Sequence, residues 1–266
     1  MGHVYGWHHV PEAPERLLPR LHWHHAGINL TEVDHEPPVG VLDQENLFAQ
    51  GIDTSQVVPG APRVDALGSC TANATTAALS NLLPSKAFLE VTGCTTMQDT
   101  VAAERFAIRF YHSETTLMGQ PWPPTDGGGS GQFILADLQA MRLASTDKVA
   151  HGALALASLL QTDGVLAGIP FLSAWEQPGS DGIVDGDGSA ATLQAQIAEG
   201  VAGGHEIYLS GIPQLALVHG EIDPANTIVK FRNSWSASWG VGGSGFFHLS
   251  TLAALGAAAD FRQLVA

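Results

Sequence analysis

Residues 231–250 read FRNSWSASWGVGGSGFFHLS. The segment before and into this stretch, TIVKFR (227–232), alternates like a strand, and GFFHL (245–249) inside it does the same. Asn233 closes the first strand, with Trp235 and Trp239 behind it. GVGGSG (240–245) satisfies GxGxxG by letter. It follows a tryptophan block and leads into a strand where a dinucleotide site needs a helix, so that reading is rejected.

Working outward, HEIYLSGI (205–212) alternates like another strand and GVLAGIPFLSA (164–174) reads as a buried one. His205 opens its strand after Gly203–Gly204. Upstream the character changes. CTANATTAALSNLL (70–83) reads as an Ala- and Leu-rich helix stopped by Pro84. VAAERFAIRFYH (101–112) and QFILADLQAMRL (132–143) are expected to be helices, separated by a glycine-rich loop at 127–131. Helices first and strands later predict an α+β fold of two lobes with a cleft between them. The expected boundaries are an N-terminal arm over 1–60, a helical lobe over roughly 61–160 and a β lobe over roughly 161–266.

A catalytic thiol must be deprotonated, needs a histidine to shuttle its proton, and needs a third group to orient that histidine. Cys70 follows the tight Gly68–Ser69 pair and starts the first predicted helix, at the positive end of its dipole. His205 and Asn233 lie on strands whose ends can converge there. Cys70, His205 and Asn233 are therefore the candidate catalytic residues.

The stretch LGSCTANA (67–74) is similar to the nucleophile segment of papain-like cysteine peptidases, the C1-type family. It is nearest to the compact bacterial and phage-like branch, where Thr-Ala-Asn replaces Trp-Ala-Phe. GGHEIYLSGI (203–212) resembles the family's histidine strand, and 231–250 its Asn-Ser-Trp-x-x-x-Trp-Gly block. The Cys70–His205 separation falls in the expected range of roughly 130–150 residues. Weaker echoes are FAIRFYHSE (106–114), PPTDGGGSGQFILADLQAM (123–141) and GWHHVPEAPERL (6–17). The resemblance implies a papain-like fold, a helical lobe plus an antiparallel β-barrel-like lobe with an N-terminal arm. It implies a peptide or protein substrate and hydrolysis through a thioester. Cys70 would be the nucleophile, His205 the proton shuttle and Asn233 its orienter. Trp235 and Trp239 would shield that pair, Ser69 would belong to the nucleophile turn, and Gly128 and Gly129 would pair with substrate backbone.

One departure is visible. The family has Gln six residues before the nucleophile, where its amide forms half the oxyanion hole. RVDALGSC (63–70) puts Val64 there, with Asp65 beside it. Either another donor substitutes, with Gln44, Gln50 and Gln56 in the arm as candidates, or activity is weak or absent. The competing expectation is thus a non-catalytic papain-like module in a larger assembly, for example a phage particle. A third is an amide-forming transferase using the same thioester. An open groove at Cys70 would favour the enzyme, and a groove filled by the arm would favour the module.

Composition sets further bounds. The chain has 266 residues, 45% hydrophobic, and a formal net charge of −15 with only 11 Lys and Arg. That field repels polyanions, which argues against nucleic-acid and acidic-membrane partners and leaves neutral or basic substrates. Two cysteines without regular spacing favour a reducing interior; Cys94 is read as structural. The start of the chain lacks a signal-peptide pattern and no apolar run is long enough to span a membrane, so the expected location is the cytoplasm or a phage or bacterial assembly. The sequons at Asn29 and Asn73 are then incidental. His3, His8, His9, His22, His24, His25 and His35 lack ligand spacing, so no metal site is expected, and no cofactor. Asp181, Asp185 and Asp187 lack calcium-loop spacing.

Overall fold

The structure is a computed structural model that describes residues 3, 5–7, 29–124 and 131–266. Gly128 and Gly129, five of the arm's histidines and most of GWHHVPEAPERL lie outside the described residues.

Short elements come first, β1 (Val33–Asp34) and α1 (Thr54–Val57), and four longer helices then build one side of the molecule. They are α2 (Cys70–Leu82), α3 (Ser85–Thr92), α4 (Thr100–Leu117) and α5 (Gly131–Ala140). Each has a local reason to begin or end. α2 stops at Leu83, which the following proline forces into extended backbone. Asp99 caps α4 by accepting from the Ala102 N–H. Gly93 ends α3 in the left-handed conformation that favours glycine. α2 is buried on nearly every side, which suits its small Ala, Thr and Ser residues.

The rest of the chain supplies β2 (Thr146–Val149), α6 (Ala153–Leu160), β3 (Val165–Leu172), α7 (Ala190–Glu199) and β4 (Val201–Gln214). Then come β5 (Leu217–Val218), β6 (Glu221–Ile222), β7 (Ile228–Arg232), β8 (Ser244–His248), α8 (Leu249–Leu255) and β9 (Asp260–Val265). The main sheet runs β2-β9-β3-β4-β7-β8, with β1 added against β4. All its pairings are antiparallel. The expected α+β class, helices before an antiparallel sheet, is what the chain adopts.

β4 organises the two cores. Its Tyr208 joins an apolar cluster with Leu79, Phe106, Ile108 and Leu138 of the helices. Its Ile207 and Leu209 join a second cluster with Ile169, Phe231, Phe247, Leu156 and Leu252. Side chains alternate along a strand, so His205 shares the face of Ile207 and Glu206 that of Tyr208. The site therefore sits where β4 passes from one core to the other beside the start of α2.

Candidate active site

Cys70 is the first residue of α2, and Ser69 is its N-cap. Ser69 is fully buried and makes the turn itself. Its N–H donates to Leu67 O at 2.8 Å, and its carbonyl accepts from Asn73 at 2.9 Å. The thiol meets β4 directly: Cys70 Sγ accepts from the Glu206 N–H at 3.4 Å, one residue past His205.

The imidazole is held from two sides. His205 Nε2 lies 2.8 Å from Asn233 Oδ1, an acceptor, so Nε2 carries the proton and Nδ1 is left as the base. Nδ1 is buried without a hydrogen-bond partner among the described residues. Trp235 stacks on the ring, centroids 4.5 Å apart at 21°, and Trp239 meets Trp235 edge-on at 5.7 Å. Asn233 is itself pinned by Gly243 O on its N–H and by the Ser234 N–H on its Oδ1. The structure thus brings Cys70, His205, Asn233, Trp235 and Trp239 together.

Val64 is not part of the site. Its N–H donates to Thr54 Oγ1 at 3.0 Å, and its side chain packs on the helical core. The residue that sits there is Gln44, fully buried. The Gln44 N–H donates to Ser234 O at 3.1 Å, its carbonyl accepts from Leu67 at 3.0 Å, and Oε1 accepts from Ser234 Oγ at 2.8 Å. Residues 45–66 leave the site as an excursion and return, closed by Leu47 N–H to Asp65 O at 2.9 Å. Asp65 Oδ1 is used at that closure, accepting from Phe48 at 2.7 Å. The carboxylates that oppose a thiolate are instead Glu206 and Glu114. Nothing in the local sequence separated Gln44 from the other arm glutamines, because the excursion breaks the fixed spacing to Cys70.

A buried carboxyl ties this loop to the helices. Glu104 accepts from the Asp43 N–H at 3.0 Å and from Asn73 Nδ2 at 3.2 and 3.3 Å. Burial raises it from 4.5 to about 7. The folded chain then binds this proton more tightly than the unfolded one, so its contribution to stability falls as pH rises through that window. Glu104→Gln keeps an acceptor and does not titrate. Its stability relative to the wild type should grow between pH 4.5 and 7, by on the order of 2–3 kcal/mol. Urea unfolding of both chains at pH 5 and pH 7.5 measures this, and an equal gap at both pH values rejects it.

The cleft is occupied by the chain's own N-terminal residues. Trp7 N–H donates to Gly204 O at 2.9 Å. The Gly6 N–H points at Cys70 Sγ, adding to the Glu206 N–H. Tyr5 meets His205 edge-on at 5.9 Å, and its hydroxyl donates to Glu176. Backbone lies so close that side chains are excluded. A Cβ on Gly6 would stand 1.5 Å from Gly68 O, and one on Gly204 would stand 2.0 Å from Trp7 O. Among the described residues, Gly68 and Gly204 are the glycines that let this segment's backbone approach, while Gly128 and Gly129 lie outside them.

Burial under the segment changes the site's chemistry. Cys70 and His205 are both 0% exposed, so neither can reach a substrate in this state. Loss of solvent pushes the thiol up to about 12, the bond from the Glu206 N–H only partly offsetting it. Loss of solvent also brings His205 down to about 4, against the help of Asn233. Near pH 7 both groups are neutral.

The other sequence candidates fall elsewhere. Cys94 is buried, its Sγ facing Asp99 O at 3.5 Å. Asp185 accepts from the His248 N–H and Nδ1, both at 2.9 Å, while Asp181 and Asp187 cap nearby N–H groups. Among the described residues no three His, Cys, Asp or Glu gather as a metal site, and no helix is long and apolar enough to cross a membrane.

No family model matches the chain, and no curated protein matches it. Among solved structures it is similar to xylellain, a cysteine protease from Xylella fastidiosa. That likeness has 18% identity and a TM-score of 0.48, covering 99% of this chain and 96% of that one. It is also similar to procathepsin B S9 from Trypanosoma congolense, at 13% identity and TM-score 0.45, covering 98% and 86%. A third is the bromelain protease from Ananas comosus bound to the E64 inhibitor, at 13% identity and TM-score 0.39, covering 80% and 97%.

Proposed function

We propose that the chain is a cysteine-dependent peptide or amide hydrolase of papain-like type, held latent by its N-terminal segment. The observation that carries this reading is the carboxamide-held imidazole, free at Nδ1, beside a thiol at a helix start. Cys70 transfers its proton to His205 Nδ1 and attacks an amide carbonyl. His205 returns the proton to the departing amine, leaving a thioester. It then takes a proton from water, whose oxygen displaces the thiol and releases the acid. Gln44 and the Cys70 N–H, which has no acceptor within its helix, supply the oxyanion donors.

Latency follows from solvation. With the segment in place the thiol stays protonated. When it lifts, water and an approaching imidazolium lower the thiol at the helix start and restore the nucleophile. The non-catalytic module remains a second reading, favoured by one observation: the cleft is filled. In that case the segment would be permanent packing, and the chain would serve as a component of a larger assembly such as a phage particle. A neutral or basic peptide remains the partner the charge favours.

Labelling separates the two readings. Gly6→Ala forces the segment off Gly68, so iodoacetamide should modify Cys70 at least about 10-fold faster than in wild type, with peptide cleavage appearing alongside. Cys94, also free and buried, is the internal reference by mass spectrometry. If Cys70 reacts no faster than Cys94 in both chains and no peptide is cut, the hydrolase reading is wrong and the module reading stands.

A further inference from the structure

Beside Trp235 the cleft widens into a groove of about 540 Å³, bordered by Glu45, Glu176 and Trp239. Two contacts show what this groove accepts. His3 lies flat on Trp235, centroids 3.8 Å apart at 1°, and its Nδ1 reaches both Glu45 oxygens at 3.0 and 2.9 Å. Tyr5 crosses Trp235 edge-on at 5.6 Å and donates to Glu176. A flat, cation-capable donor on an indole face, with a carboxylate at its nitrogen, has the chemistry of a bound basic side chain.

From this we infer that Glu45 and Glu176 form a specificity subsite for a cationic side chain of the substrate, Lys or Arg, seated on Trp235. His3 and Tyr5 stand in for that side chain in the latent chain. The inference rests on the hydrolase reading and deepens it by naming a substrate class. Both residues are held by bonds that do not involve Cys70, His205 or Asn233. Glu45 follows Gln44 at the start of the excursion, and its N–H bonds Asp43 Oδ1 at 3.1 Å. Glu176 is fixed by its carbonyl, which accepts from Trp239 Nε1 at 2.8 Å. The net charge of −15 adds long-range attraction for the same ligands. Two carboxylates bordering one groove favour a basic side chain over a neutral or acidic one by charge complementarity.

The test uses two pools of quenched fluorogenic octapeptides, identical except that lysine in one is norleucine in the other. With the full-length Gly6→Ala chain, whose segment is displaced, the lysine pool should be cleaved about 10-fold faster. Glu45→Gln/Glu176→Gln should bring that ratio close to one. The double variant also loosens the segment and raises both rates, but the ratio is insensitive to this. An equal rate on both pools, or a preference that survives the double variant, overturns the subsite while cleavage itself upholds the hydrolase. If neither pool is cut by the Gly6→Ala chain, the hydrolase reading is what fails, and equilibrium binding of the pools to Gly6→Ala/Cys70→Ala decides the subsite. Glutamate-dependent preference for lysine keeps it, and equal binding ends it.

Discussion

In the Gly6→Ala background, Cys70→Ala should lower peptide cleavage by roughly 10⁴–10⁶-fold, because it removes the thiol that forms the acyl intermediate. The fold should survive. The side chain is small and fully buried, and its removal ends only weak sulfur bonds from the Glu206 and Gly6 N–H groups. Circular dichroism and urea midpoint should stay close to wild type. Residues acting as one unit are not additive. Adding Asn233→Ala to Cys70→Ala should therefore cost little further activity, whereas Asn233→Ala alone should slow cleavage by releasing the imidazole. Single-turnover cleavage at high enzyme concentration makes the comparison. Cleavage that persists in Cys70→Ala would place the chemistry elsewhere in the molecule.

How much of this could be read beforehand differs by residue. The placement of Asn233, Trp235 and Trp239 around His205 was legible because an Asn-Ser-Trp-x-x-x-Trp spacing is unusual enough to be informative. His205 was legible only through its flanks. The alternating strands were placed within a few residues. The reading of 205–212 fell inside β4, Val201–Gln214, and that of 245–249 beside β8, Ser244–His248. α3, α6, α7 and α8 were not singled out, since each is ten residues or fewer and leans on packing more than on pattern. Glu104, Glu114 and Glu206 would ordinarily be assigned to the surface, yet all three are buried between α2, α4 and β4. Nothing in their local sequence marks them. The occupied cleft was invisible for a related reason. Gly6, Gly68 and Gly204 each allow a close approach, but only their meeting in space shows what approaches. Gln44 was considered among three glutamines and could not be chosen, because a fixed count back from Cys70 lands on Val64.

That assignment leads to the second large effect. Gln44→Ala should reduce kcat by about 10²–10³, roughly 3–4 kcal/mol of transition-state stabilisation, with KM little changed. Val64→Ala should alter kcat less than about twofold, since its side chain packs away from the site. The loss in Gln44→Ala has a second possible source, because Oε1 also accepts from Ser234 Oγ beside Asn233. Two measurements separate them. Gln44→Glu keeps that acceptor and replaces the amide donor with a negative charge, so it should be at least as impaired as Gln44→Ala. Alkylation of Cys70 by iodoacetamide passes through no tetrahedral oxyanion. In the Gly6→Ala background it should therefore proceed at an unchanged rate in Gln44→Ala, while hydrolysis collapses. If alkylation falls in step with hydrolysis, Gln44 acts by positioning the triad. If kcat stays within twofold of wild type, the oxyanion is stabilised without Gln44.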